Sequence, residues 1–347
     1  MAIVFLCLVF LGRSPNASAQ PPGVIRALPP IDAEAPRSQL PAVDGPFFEQ
    51  PSMGEPTYRV ASDPTMLRSP EEVLAAPDVH LTGPHPTSHK DTFFQKLSFT
   101  GTEVFPDGSD GLGIFETELF AAFAVPAPTT KTPLILIPSL EVDFVDSPSY
   151  ATLPATLYAA YFDFMWLPKI GDRLQGVISA APGWYSDFED GTDDSFRLTG
   201  RGIARYDWTP DHLQLVLGVA YLGRVHTKIL PVAGVIWKPR DDWNLELVFP
   251  KAKIARRTAW GPGFEHWVYL GGGFGGDNWS VLDPSGTRTK LVMRDWRVTL
   301  GWERKMNGGA GFGFETGYVF SREFEYVSSG VVYEPDGTLL LRAFLAL

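Results

Sequence analysis

Long stretches of strict two-residue alternation recur through most of this chain, and antiparallel sheet is the structure that such stretches build. In 195–208, Arg197, Thr199, Arg201, Arg205 and Asp207 alternate with Leu198, Gly200, Gly202, Ala204, Tyr206 and Trp208. In 111–125, Phe115, Thr117, Leu119, Ala121 and Phe123 oppose Glu116, Glu118, Phe120 and Ala122. The same pattern marks 134–144, 158–166, 213–221, 243–249, 296–302 and 312–320. Breaks rich in Gly, Pro, Asp and Ser separate these runs. Some are short, such as 209–211 and 238–242; others are long and polar, such as 187–194, 277–288 and 327–337. Short turns at one end and long loops at the other predict an all-β, closed, up-and-down antiparallel barrel of twelve to fourteen strands. The upper count includes the strands predicted over 95–100 and 251–258.

Two quantities separate a membrane barrel from a soluble sandwich. Sandwich strands average five or six residues, whereas several runs here reach the 9–11 residues that a tilted strand needs to cross a bilayer. The minor face also carries charge of both signs in mid-strand. Glu116, Glu118, Glu141, Asp143, Asp163, Arg197, Arg201, Arg205, Asp295, Arg297 and Glu303 are the expected lumen-lining residues. A barrel can pair them across its interior, where unpaired burial is expensive. Leu213, Leu215, Leu217, Trp296, Val298 and Leu300 would then face lipid. A one-residue register error would exchange the two sets. Trp and Tyr gather near strand ends, as an interfacial girdle requires.

The N-terminus has a different character. Residues 2–11 are an unbroken apolar run, and Ala17-Ser18-Ala19 fits a signal-peptidase site, so 1–19 is predicted to be a cleaved signal peptide. The single cysteine, Cys7, lies inside it. Residues 20–92 form a proline-rich leader or linker, followed by the barrel over 93–347. His80, His85 and His89 in the leader lack the partners of a familiar structural metal site. The net charge of −11 and scattered Lys and Arg argue against nucleic acid as a partner.

Catalytic patterns are thin. His266 and Ser280 are the one Ser–His pair that a hairpin could bring together, and no G-x-S-x-G accompanies them. The glycine run Gly271–Gly276 lacks both GxGxxG and GKS/T. In a barrel, such glycines make room where side chains crowd a curved wall. Lys251, Lys253, Arg256 and Arg257 form the densest basic group and join the candidate lumen arginines. No cofactor or metal is expected.

The last strand puts Leu339, Leu341, Ala343, Leu345 and Leu347 on one face. It resembles the terminal strand by which outer-membrane barrels engage their assembly machinery, with Leu347 in place of the usual Phe. The stretch VAGVIWKPRDDWNLELVFPKAKIARR, residues 232–257, resembles an uncharacterised family of predicted outer-membrane barrels from planctomycetes and related bacteria. That resemblance implies the outer membrane and its lipids as surroundings, but no catalytic or binding residues. The expected function is a channel or transporter for small polar solutes. The alternative is a structural or interaction barrel of the envelope, with an outer-membrane lipid hydrolase as a minor third.

Overall fold

The computed structural model describes residues 85–87, 90, 92–129, 132–189 and 194–347. The expected signal peptide and most of the proline-rich leader lie outside the described residues. The described chain is all-β and closes into a fourteen-strand antiparallel barrel. Its staves are β1 (Phe94–Val104), β2 (Gly113–Thr129), β3 (Thr132–Asp146), β4 (Thr156–Trp166), β6 (Leu174–Ser186), β7 (Phe196–Thr209) and β8 (Leu213–Tyr221). They continue with β9 (Ile229–Trp237), β10 (Trp243–Phe249), β11 (Lys251–Gly261), β12 (Phe264–Gly275), β14 (Arg288–Met306), β15 (Gly311–Tyr326) and β17 (Thr338–Ala346). Three short strands stand outside the ring: β5 (Lys169–Ile170), β13 (Asn278–Leu282) and β16 (Val331–Tyr333).

Each stave pairs with the next, and β1 pairs with β17 from Ser98↔Ala346 to Val104↔Leu340. That last ladder removes the edges which an open sheet would present to lipid. The connections divide as the sequence predicts. One rim carries the long links 105–112, 147–155, 187–195, 222–228, 276–287 and 327–337; the other carries the short links 210–212, 262–263 and 307–310. Two details differ from expectation. β2 runs on to Thr129, four residues beyond the alternating run read over 111–125. On the long-loop rim, β10 passes to β11 through Pro250 alone.

The two faces are chemically distinct. Outward-facing Leu119, Leu140, Phe164, Leu198, Leu217, Val219, Leu270, Val298, Leu300 and Leu339 are exposed, a continuous apolar surface that water would not favour. Its borders are aromatic. Tyr158, Trp184, Phe196 and Tyr221 stand toward the long-loop rim, and Trp208, Trp237 and Trp243 toward the short-turn rim. On β4, Tyr158 and Trp166 are eight residues apart. At roughly 3.4 Å per residue and a tilt of about 40°, that spans about 20 Å, close to the height of a barrel's lipid-facing band. Not every aromatic belongs to the girdle: Tyr185, Trp267 and Trp279 are buried inside. The last stave obeys the same rule, with Leu339, Leu341 and Leu345 outward and Leu340 fully buried.

Leu300 lies mid-stave on β14 and is 55% exposed. Leu300→Arg should destabilise the bilayer-inserted barrel by about 2–4 kcal/mol, because the charge meets hydrocarbon. Denaturant titration followed by Trp fluorescence in lipid vesicles would measure it; a change below ~1 kcal/mol would contradict the lipid-facing assignment.

Candidate functional site: the charged interior and its lid

The inner face presents the charged side chains that alternate with the apolar ones. Arg197, Arg201, Asp143, Asp295, Arg297 and Glu303 are buried, and Glu116, Glu118, Glu141, Asp163 and Arg205 are partly buried. Of the basic group on β11, Lys251, Lys253 and Arg257 share the inner face, whereas Arg256 points outward and ion-pairs with Asp242. The strict alternation along Lys251–Arg257 forces that split.

Several pairs join staves that are not neighbours. Arg297 on β14 donates two hydrogen bonds to Glu116 on β2, at 2.8 and 2.6 Å, and two more to Asp295, at 2.8 and 2.9 Å. Lys253 on β11 and Lys305 on β14 both ion-pair with Glu303, at 3.2 and 3.3 Å. Tyr269 on β12 donates to Glu315 on β15 at 2.6 Å, and Arg342 on β17 binds the same carboxylate at 3.1 Å. Arg201 on β7 approaches Asp163 on β4 at 3.5 Å. These fork-shaped guanidinium contacts fix both distance and orientation across the lumen.

The acids concentrate on one wall. Register sets Glu116 opposite Asp143 and Glu118 opposite Glu141, so four carboxylates crowd β2 and β3. Tyr161 donates to Glu141 at 2.8 Å. A cavity of about 70 Å³ lies against this wall, lined also by Lys251, Arg297 and Arg342. It has room for a few waters. The glycine run has its role here: a Cβ on Gly275 would lie 1.7 Å from Asp295 Oδ1, and one on Gly273 would lie 2.5 Å from Lys251 Cγ. These glycines leave space for the inward charges of neighbouring staves.

At the long-loop rim the interior changes from polar to apolar. The link 276–287 does not extend away from the barrel. Its strand β13 pairs with the upper part of β14, from Asn278↔Val292 to Leu282↔Arg288, and then meets β6 through Ser280↔Ser186. On the other side of this unit, β16 pairs with Phe324–Tyr326 of β15. β13, β16 and the upper ends of β14 and β15 thus form a lid across the mouth. Its underside buries Trp279, Val281, Leu291, Met293, Phe324 and Tyr326 against Leu112, Leu153, Leu157, Tyr161 and Tyr185.

Polar contacts hold the lid to the wall. Arg197 makes a bidentate pair with Asp277 at 2.7 and 2.8 Å and also donates to Asn278 Oδ1 at 2.6 Å. Arg224 adds a contact to Asp277 at 3.2 Å. Burial pushes the Asp277 carboxyl upward, but the Arg197 and Arg224 guanidiniums prevail and hold it below the usual carboxylate range. Ser186 Oγ donates to Ser280 O at 3.0 Å, and Tyr326 Oη donates to Thr152 O at 2.8 Å.

The opposite rim receives the end of the leader. His85 Nδ1 lies 2.8 Å from Glu265 Oε2 and 3.3 Å from Arg257 Nη1, with its ring stacked beside Trp267. Thr87 Oγ1 accepts from Gly308 N, and Thr87 O accepts from Gly309 N. His80 and His89 lie outside the described residues.

The Ser–His pair considered from the sequence does not assemble. His266 faces outward opposite Arg304, and Ser280 sits in the lid opposite Lys290. Those partners are fourteen residues apart on β14, roughly 45 Å at about 3.3 Å per residue. Asp277, Arg224 and the lid itself were not legible as functional elements. One signal was present: Trp279 and Val281 alternate with Asn278 and Ser280, a strand pattern inside a segment otherwise read as a polar loop.

Arg297 donates four hydrogen bonds, all to the carboxylates of Glu116 and Asp295. Arg297→Met should cost about 3–5 kcal/mol, since it strands Glu116 and Asp295 without their partner. Adding Glu116→Gln should recover part of that loss, which a double-mutant cycle on unfolding free energies would measure. Equal stability of Arg297→Met and the parent would contradict the lumen-crossing pair.

Neither a family model nor a curated protein matches the chain. Among solved structures, the chain is similar to the β domain of the Bordetella autotransporter BrkA, at 8% identity and a TM-score of 0.33, over 73% of this chain and 98% of that one.

Proposed function

We propose that this protein is an outer-membrane channel or transport barrel for small polar solutes, closed at its long-loop rim in the present conformation. The observation that carries this reading is an inner face lined with charges of both signs in a barrel of fourteen staves. Eight-strand barrels are filled by their own side chains, and barrels of sixteen to eighteen leave an aqueous channel. Fourteen staves lie nearer the second case, and the charged wall suits a hydrated path. The apolar outer band and its aromatic borders support insertion among outer-membrane lipids, with the terminal stave β17 as the segment offered to barrel-assembly machinery. The resemblance of residues 232–257 to planctomycete outer-membrane barrels agrees with this location and adds no solute. A cofactor, a nucleic-acid partner and an enzymatic role form no part of the proposal.

A second reading is a structural or interaction barrel of the envelope. The lumen-crossing pairs and the apolar core beneath the lid favour it. Planar-bilayer recording in potassium chloride, on the chain from Gln20 and on one beginning near Phe93, decides between the two. Stepwise conductance from either supports the channel. Conductance that appears only in the shorter chain makes the leader an obstruction of the path. Silence from both, with folding and insertion verified, favours the structural barrel.

A further inference from the structure

The lid meets the barrel along a crease. β12 ends its pairing with β14 at Gly275↔Asp295, and the chain turns away at Gly276 with φ 94°. A Cβ on Gly276 would stand 2.1 Å from Met293 O, so the turn admits only glycine without rearrangement. Between β14 and β15 the register slips: Arg294 faces Glu323 and Trp296 faces Phe320, so Ser321 and Arg322 stand against Asp295, the mark of a bulge in β15. In β15, Ser321 takes φ 51°, an unusual value for a non-glycine residue inside a strand. The turn at Gly276 and the bulge in β15 therefore fall at one level, on either side of Asp295. Backbone of this kind persists where the surroundings enforce it, and such positions concentrate at switching elements.

Beyond the crease, the lid meets the far wall through the apolar cluster on its underside and a set of polar contacts, with little backbone pairing. The polar contacts include those of Arg197 with Asp277 and Asn278, the Arg224 contact, the Ser186–Ser280 and Tyr326–Thr152 hydrogen bonds, and His226 Nε2 near Glu325 Oε2 at 2.9 Å. The bridge to β6 is one residue pair, against twelve between β12 and β14 below the crease. A continuous wall would extend the ladder; at this edge the backbone is joined at one pair and side chains make the rest of the contact.

We propose that the lid is a gate, hinged at Gly276 and at the β15 bulge of Ser321 and Arg322, and latched by Asp277 between Arg197 and Arg224. Its opening exposes the acid-lined cavity to the long-loop side. This inference rests on the channel reading for its conductance consequence, but the motion of the lid can be measured without it. The ligand that passes is a small hydrated ion or polar solute, because the cavity beneath is lined by Glu116, Glu118, Glu141, Asp143, Lys251 and Arg297.

The test uses the full chain with Cys7→Ser, its single native cysteine removed. Ser186→Cys and Ser280→Cys, placed at the bridge, allow the lid to be locked by oxidation and freed by reductant in one preparation. Potassium chloride conductance across a planar bilayer is the first readout. Oxidation should lower open probability by about tenfold or more, and reductant should restore it. Asp277→Ala, in the chain without engineered cysteines, should raise it by a similar factor. Unchanged conductance on oxidation, with the disulfide verified, overturns the gate and leaves the channel standing. The second readout covers a barrel that is silent in every form, the result that defeats the channel reading. A third cysteine at Glu118→Cys is then labelled with a membrane-impermeant maleimide in the locked and freed states. With the reductant removed and labelling read at position 118 alone by peptide mass, faster labelling when freed supports a moving lid; equal rates there overturn it.

Discussion

Ring closure between β1 and β17 is the constraint on which the remaining structure depends. In hydrocarbon no water satisfies a stray backbone N–H or C=O, so a sheet that crosses a membrane must pair its first strand with its last. The ladder from Ser98↔Ala346 to Val104↔Leu340 does this. Closure then assigns every side chain to one of two environments, because alternate residues must point in or out. Leu119 and Leu140 face outward on β2 and β3 by the same geometry that turns Glu118 and Glu141 inward.

The inward charges follow from that assignment, and so does their pairing. Taking a guanidinium or carboxylate from water costs several kcal/mol, which is recovered only when its hydrogen bonds are met. Arg297 meets them with Glu116 and Asp295, and Glu303 does so with Lys253 and Lys305. These contacts bring distant staves together and narrow a ring whose strand number would otherwise leave a broad lumen. The interior is thus braced through its middle and apolar beneath the lid. The lid adds hydrophobic burial of Trp279 and Phe324, a different physical solution at the mouth.

That division bears on function. On the channel reading proposed above, a cross-braced lumen with a small acid-lined cavity would favour selective passage over a wide, unrestricted pore. The contact of His85 with Glu265 places a second element at the opposite rim of the barrel. The lid and this contact both sit on the ends of the barrel, where loops can differ without disturbing the staves.

The sequence by itself determined the strands and their faces. Period 2 is a local property: the arginines at 197, 201 and 205 share a side whatever the rest of the chain does. The same locality separates Arg256 from Arg257, although their adjacency had suggested one basic group. Tertiary structure alone decided the partners. Nothing within reach along the chain connects Glu116 to Arg297, or Arg197 to Asp277; closure of the ring and the turn at Gly276 bring them together. Alternation sets which way a side chain points, whereas closure and register set what it meets, and those depend on contacts far apart in sequence.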